Sequence, residues 1–205
     1  AKYMFMAVFS SAILLFGLSF LYGATGTFYF EDVNLLVKPD ALMLTAMVLF
    51  VVGLFFKISL VPFHFWTADV YQGAPTPVTA YLSTISKGAA VYALMVVLYK
   101  VFPIVAIEWN TILWWVILVT ITLGNLFALR QKNLKRFLAF SSISQAGYIM
   151  LSVMTGSAQG MAATIYYVLV YIFSNMAAFG VISSIESKTG KVNMNDYDGL
   201  YKTNP

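Results

Sequence analysis

Two lysines stand where the sequence is otherwise apolar. Lys57 follows sixteen uncharged residues, Ala41 to Phe56. At 1.5 Å per residue that is about 24 Å of helix, most of a bilayer core of about 30 Å. Lys87 lies about ten residues into the next apolar stretch, near its middle. An intramembrane lysine costs about 2.5–3.5 kcal/mol even on the lenient insertion scale. The chemistry that rewards such a residue is the loading and release of a proton on an ion path. Two plainer readings stand beside it. A lysine near a helix end can snorkel to the headgroups, which suits Lys57 better than the central Lys87. Either amine can also be held by hydrogen bonds to helix carbonyls.

The segment between the lysines carries the next candidates. Pro62 removes an amide donor and frees a carbonyl about one turn earlier, so it breaks or kinks the helix just past Lys57. Non-helical backbone at membrane depth is tolerated only where protein buries it or where it lines a wet cavity. Transporters place binding sites at such breaks. The alternative is a plain helix end with an interfacial loop, where Trp66 and Tyr71 suit an aromatic belt. His64, the one histidine, is a candidate proton relay or a structural hydrogen-bonder. Asp69 is expected at the interface, fixing the loop. Ser141, Ser142, Ser144, Gln145 and Tyr148 give a later stretch a polar stripe. Such a stripe joins helices by hydrogen bonds or anchors a water file. Ser144 and Gln145 are therefore candidate relay or water-anchoring positions. The acids fall in loops or at helix ends, so a counter-ion for either lysine is expected on a helix outside this chain.

These residues need helices to hold them. The chain is 60% hydrophobic and 10% charged, with a mean hydropathy of +0.82. A soluble domain carries about a quarter charged residues, so lipid must solvate most of this one. Apolar stretches at about 3–22, 41–63, 78–99, 111–129, 134–154 and 161–185 predict six transmembrane helices in one all-α region over residues 1–205. They are too long and continuous for barrel strands. The joints carry Gly, Pro, Asn and Asp, as turns do.

Charge sets the expected orientation. Arg130, Lys132, Lys135 and Arg136 crowd one joint, and alternation puts Lys2, Lys188, Lys191 and Lys202 on the same side. Lys38 and Lys100 on the other side are offset by Glu31, Asp32, Asp40 and Glu108. The first side is therefore expected to be cytoplasmic. Ala1-Lys2-Tyr3 runs straight into an apolar stretch without a signal-peptide layout, and Tyr201 to Pro205 is a polar tail without closure. The chain is expected to be a piece of a longer polypeptide.

Several functions drop out. There is no cysteine, which removes disulfides, thiolate metal sites and cysteine nucleophiles. A single histidine cannot build a histidine cluster for zinc or haem. The net charge of +4 comes without a basic patch interleaved with aromatics, so nucleic acid is not an expected partner.

The run Lys57-Ile58-Ser59-Leu60-Val61-Pro62-Phe63-His64-Phe65-Trp66-Thr67-Ala68-Asp69-Val70-Tyr71-Gln72-Gly73-Ala74-Pro75-Thr76-Pro77, followed by Ser86-Lys87, resembles the signature of the subunit N family of bacterial respiratory complex I, the NADH-quinone oxidoreductase. Lys2-Tyr3 with Ser10-Ser11, the turn from Tyr22 to Thr27, Gly124-Asn125-Leu126 and the run Asn133 to Ser144 extend the likeness over nearly the whole chain. Sister antiporter-like subunits and multisubunit sodium/proton antiporters share the Trp66…Asp69 and Pro75-Thr76-Pro77 region. Val70-Tyr71-Gln72-Gly73 favours subunit N.

The resemblance implies a fourteen-helix antiporter-like parent in the bacterial inner membrane, with this chain as helices six to eleven. It implies that Lys57 and Lys87 are proton-relay residues, Lys57 on a discontinuous helix broken at Pro62. The partner glutamate would precede Ala1, and a further lysine would follow Pro205. It implies proton translocation coupled to electron transfer from NADH to quinone elsewhere in the complex. Partners would be the bilayer and other membrane subunits. No cofactor is expected in this chain; flavin and iron–sulfur clusters belong to other subunits, and quinone binds elsewhere. Many relatives have histidine where this chain has Gln145, which hydrogen-bonds but does not titrate. The alternative is a stand-alone or multisubunit cation/proton antiporter. A purely structural scaffold, with its lysines satisfied by carbonyls, is the plainest reading.

Overall fold

A computed structural model describes residues 2–36 and 38–200, without the Lys2 side chain. The tail Tyr201 to Pro205, with Lys202, lies outside the described residues, as do Ala1 and Val37. The elements are α1 (Lys2–Thr25), α2 (Phe30–Leu36), α3 (Ala41–Ile58), α4 (Phe65–Gly73), α5 (Thr76–Ser83), α6 (Ile85–Lys100), α7 (Ala106–Ala128), α8 (Leu134–Met154) and α9 (Ala158–Thr189). Six spans are long and apolar enough to cross a membrane, α5 and α6 forming one together. The fold is an all-helical membrane bundle.

Local chemistry sets the helix ends. The amide of Met43 donates to Asp40 Oδ1 at 2.8 Å and opens α3. Asn133 accepts from the Arg136 amide to open α8, and Ser157 accepts from the Gly160 amide to open α9. Each side chain satisfies one amide that has no intrahelical partner. At the other ends, Gly26 (φ +71) follows α1 and Gly190 (φ +69) follows α9. Both take the left-handed conformation that glycine adopts without a Cβ clash.

Several bounds depart from the sequence reading. The second span stops at Ile58, not near Phe63, and residues 65–73 form a helix of their own. The third span is interrupted at Thr84. The fourth starts earlier, behind a short 3-10 turn at Pro103–Val105. The sixth is 32 residues long, about 48 Å and so longer than a bilayer core.

The helices pack α1 on α3 and α7 on α8, with α4 lying across α8 and α5 across α9. One apolar core gathers Phe55, Leu94, Leu98, Trp109, Leu113 and Met150. A second gathers Trp66, Tyr71, Phe140, Ile143 and Phe179. Trp66 is 6% exposed and Tyr71 is fully buried, which corrects the reading of both as belt residues. Their helix, α4, packs on α8 and buries Trp66, Thr67, Ala68 and Tyr71, so its environment is protein around most of its circumference. Beyond α9 the chain folds back on the α7–α8 joint. There the Leu134 amide donates to Val192 O at 2.9 Å, and the Met194 amide to Lys132 O at 2.9 Å. Lys191 therefore shares an end of the bundle with Arg130, Lys132 and Arg136.

Candidate functional site

The first break follows Lys57. Ser59 caps α3 in the left-handed region, with φ 68° and ψ 38°. Its amide donates to Phe56 O at 3.1 Å, and the Leu60 amide to Phe55 O at 3.0 Å. A left-handed serine costs about 1–2 kcal/mol, so its surroundings must hold it there. The Val61 amide, past the last helical turn, donates to Thr120 Oγ1 of α7 at 3.0 Å. The indole N–H of Trp66 donates to Phe56 O at 3.0 Å. The link from Ser59 to His64 is thus tied to α7 through Val61, and the Trp66 bond bridges it from α4 to α3. Pro62, which follows a cis peptide bond, sits in it.

The second break precedes Lys87. Thr84, with φ −112° and ψ −79°, separates α5 from α6. Its hydroxyl donates to Ala80 O at 2.6 Å, and Ser83 Oγ donates to the same carbonyl at 3.0 Å. Such back-bonding diverts helix carbonyls and bends the helix. Lys87 lies less than one turn past this bend and is 1% exposed. Its Nζ donates to Ser142 O at 2.9 Å and to Ser142 Oγ at 2.6 Å. The Tyr171 hydroxyl donates to the same Ser142 Oγ at 2.7 Å. Among the described residues no carboxylate pairs with Lys87. The expensive amine of the third span is therefore met by one serine of α8 and, through it, by a tyrosine of α9.

The other predicted positions scatter around this centre. Lys57 is exposed, on the outer face of α3. It has no side-chain hydrogen bond or ion pair among the described residues. No hydrogen-bonded chain among the described residues joins it to Lys87. His64 is buried, its Nδ1 has no partner, and its ring lies 4.5 Å from that of Phe65. Ser144 donates to Ser141 O of its own helix at 2.9 Å and packs its backbone against Gly124. Gln145 Oε1 accepts from the Tyr167 hydroxyl at 2.5 Å.

Sequence reasoning placed Ser142 in the stripe but did not single it out, and it passed over Tyr171 and Thr84. The threonine had a readable signal, since adjacent Ser83 and Thr84 stand just before the buried lysine. Tyr171 had none, because its partner lies 29 residues away on another helix.

A charged cluster closes the basic end. Lys135, expected among exposed loop charges, is 5% exposed. Its Nζ lies 2.9 Å from Glu186 Oε1 and 3.4 Å from Ala74 O. Helix α8 begins at Leu134, so its first turn faces Lys135 into the bundle. Thr76 also donates to Glu186. Asp69, exposed on helix α4 and not in a loop, pairs with Arg136 at 2.8 Å, and Arg136 donates to Gln72 Oε1 at 3.0 Å.

Two interrupted helices, a buried lysine on hydroxyl partners and a polar helix seam define a polytopic helical membrane domain with broken helices beside its buried charge. The family described as NADH:quinone oxidoreductase/Mrp antiporter, TM, matches residues 1–205, and the chain belongs to it. It is 59% identical over 205 residues to NADH-quinone oxidoreductase subunit N of Azobacteroides pseudotrichonymphae, covering all of this chain and 43% of that one. It is 59% identical over 206 residues to the same subunit of Phocaeicola vulgatus, covering all of this chain and 44% of that one. The chain thus spans less than half the length of these relatives. In structure it resembles a chain of respiratory complex I from Thermus thermophilus with a TM-score of 0.81 and 38% identity, covering all of this chain and 44% of that one. It also resembles a chain of the Mrp complex from Dietzia with a TM-score of 0.82 and 29% identity, covering 90% of this chain and 34% of that one. The setting is a multi-pass bacterial inner membrane protein.

Proposed function

We propose that this chain is the central part of a proton-translocating membrane-arm subunit of an NADH-quinone oxidoreductase. Lys87 carries the reading. A fully buried amine held only by Ser142 can exist as ammonium or as neutral amine, because its partner offers both a hydroxyl and a carbonyl. A structural lysine would gain more from a carboxylate partner. Lys57 stands beside the first break and supplies the step before Lys87. Electron transfer from NADH to quinone takes place in other subunits, which hold the flavin, the iron–sulfur clusters and the quinone. This chain contributes the proton path and no redox centre. The basic end faces the cytoplasm.

The test replaces Lys57 and Lys87, each with methionine, in the assembled complex reconstituted into vesicles. Both variants are expected to lose most proton pumping per NADH oxidised. Pumping near wild type in both would refute the assignment. The fold of the Mrp chain keeps an antiporter reading in view. Purification separates the two, because the proposed subunit comes with flavin and iron–sulfur proteins and a separate antiporter does not.

A further inference from the structure

We infer that Ser142 and Tyr171 form the outlet of Lys87, a two-hydroxyl relay that delivers its proton to the pocket between α8 and α9. The inference rests on the proposed role of Lys87. Ser142 Oγ stands 2.6 Å from Lys87 Nζ and 2.7 Å from the Tyr171 hydroxyl. Ser142 is 1% exposed and Tyr171 is 5% exposed, so bulk water does not compete for these bonds. Tyr171 also forms part of the wall of a pocket with Ser141, Gln145, Tyr167 and Asn175. The hydroxyl chain therefore begins at the buried amine and ends on a tyrosine that lines a recess of mixed polar and apolar wall.

The direction of these bonds follows the charge of the lysine. As ammonium, Lys87 has only donors, so Ser142 Oγ must accept from it. With Tyr171 also donating, both lone pairs of Oγ are filled. As a neutral amine, Lys87 has a lone pair and can accept the Ser142 O–H. The outward step is balanced. Lys87 gives one N–H proton to Ser142 Oγ, and Ser142 passes its own proton to Tyr171 Oη. Tyr171 releases its proton to a water in the pocket. Both hydroxyls end with one proton each, Lys87 ends neutral, and one proton has moved. The step needs each hydroxyl to turn about its C–O bond and no helix to move.

The neighbouring Tyr71 supplies a control. It is fully buried, and its hydroxyl faces Ser142 and Tyr171 without reaching either in ordinary hydrogen-bond geometry. Its loss removes a hydroxyl from the same cluster without cutting the chain.

The experiment measures proton pumping in vesicles by the intact complex carrying Ser142→Ala, Tyr171→Phe, Ser142→Thr or Tyr71→Phe. Complex assembly is checked by the content of its other subunits. Ser142→Ala and Tyr171→Phe are each expected to slow pumping about 100-fold, the lower end of what a positioned proton-transfer group contributes. The double variant should be no slower than either single one, because one chain is cut twice. Ser142→Thr, which keeps the hydroxyl, should restore most of the rate. In Tyr171→Phe the release of the Lys87 proton limits the rate, so pumping should recover as pH is raised; packing damage alone would not respond in this way. Pumping near wild type in both Ser142→Ala and Tyr171→Phe, with Lys87→Met still defective, would overturn the relay and leave the role of Lys87 intact. Normal pumping in Lys87→Met would instead remove the reading beneath it. A loss in Tyr71→Phe equal to that in Tyr171→Phe would overturn the assignment to Tyr171.

Discussion

Lys135 of α8 and Glu186 of α9 form an ion pair of 2.9 Å at the basic end of the bundle. Thr76 donates to the same carboxylate, and Lys135 also reaches Ala74 O. One pair of charges thereby fixes three elements, including the start of the helix that leads to Lys87.

Glu186→Ala leaves the Lys135 ammonium largely buried and without its counter-charge. Breaking a buried pair costs about 3–5 kcal/mol, and the partial exposure of Glu186 trims this to about 2–3 kcal/mol. The double substitution Lys135→Met with Glu186→Met should recover much of that loss. Thermal unfolding of the purified parent subunit measures both. A midpoint unchanged in Glu186→Ala would show that the pair does not anchor α9.

Arg136 makes the contrasting case. Its partner Asp69 keeps 61% of its side chain exposed, and exposed ion pairs are worth about 0.2–1 kcal/mol and are screened by salt. Arg136→Ala should shift the same midpoint only slightly, and less again at high salt. A large shift that persists in salt would contradict this ranking.

Thr120 holds the first break through the Val61 amide at 3.0 Å. Thr120→Val strands that donor in the core, at a cost of about 1–3 kcal/mol, while Thr120→Ser keeps the bond and should cost far less. Hydrogen exchange gives a direct reading. The amides of Ser59, Leu60, Val61 and Phe63 should exchange faster in Thr120→Val alone, and equal exchange in both variants would refute the tie.

Gly53 allows α3 to meet α1. A Cβ there would stand 2.5 Å from Leu14 Cβ and 3.0 Å from Ser10 O. Gly53→Ala should cost about 1–3 kcal/mol through overpacking. Gly23, where an added Cβ meets nothing within 4 Å, should tolerate alanine and gain up to about 1 kcal/mol from a stiffer helix. Unfolding of the two variants in one detergent compares them, and equal midpoints would count against a tight α1–α3 seam.

The spans and their number were readable because hydrophobic length is a local property. The bounds of α8, Leu134–Met154, coincide with the run marked by Asn133 at one end and Thr155-Gly156 at the other. The break after Lys57 was readable from Pro62. Helix register hid the rest. Lys135 looked like a loop charge because Arg130 and Lys132 precede it, yet the first turn of α8 rotates it inward and Arg136 outward. Lys57 was read from its apolar neighbours alone; Phe55, Phe56 and Ile58 pack into the described bundle, and Lys57 points away from it. Ser142 was one of several polar residues in a stripe. Only the approach of α6 and α9 to α8 selects it over Ser144, whose hydroxyl serves its own helix.

The glycine seams have a mechanical consequence. Gly17 and Gly53 bring α1 and α3 backbone to backbone, and Gly124 and Gly147 do the same for α7 and α8. Seams this close resist shear, since close-packed interiors have little free volume. Each pair therefore behaves as a strut. The link from Ser59 to His64 hangs between the struts, leaving one and bolted to the other through Thr120. Any displacement of one strut against the other is delivered to that link as torsion, within a few residues of Lys57.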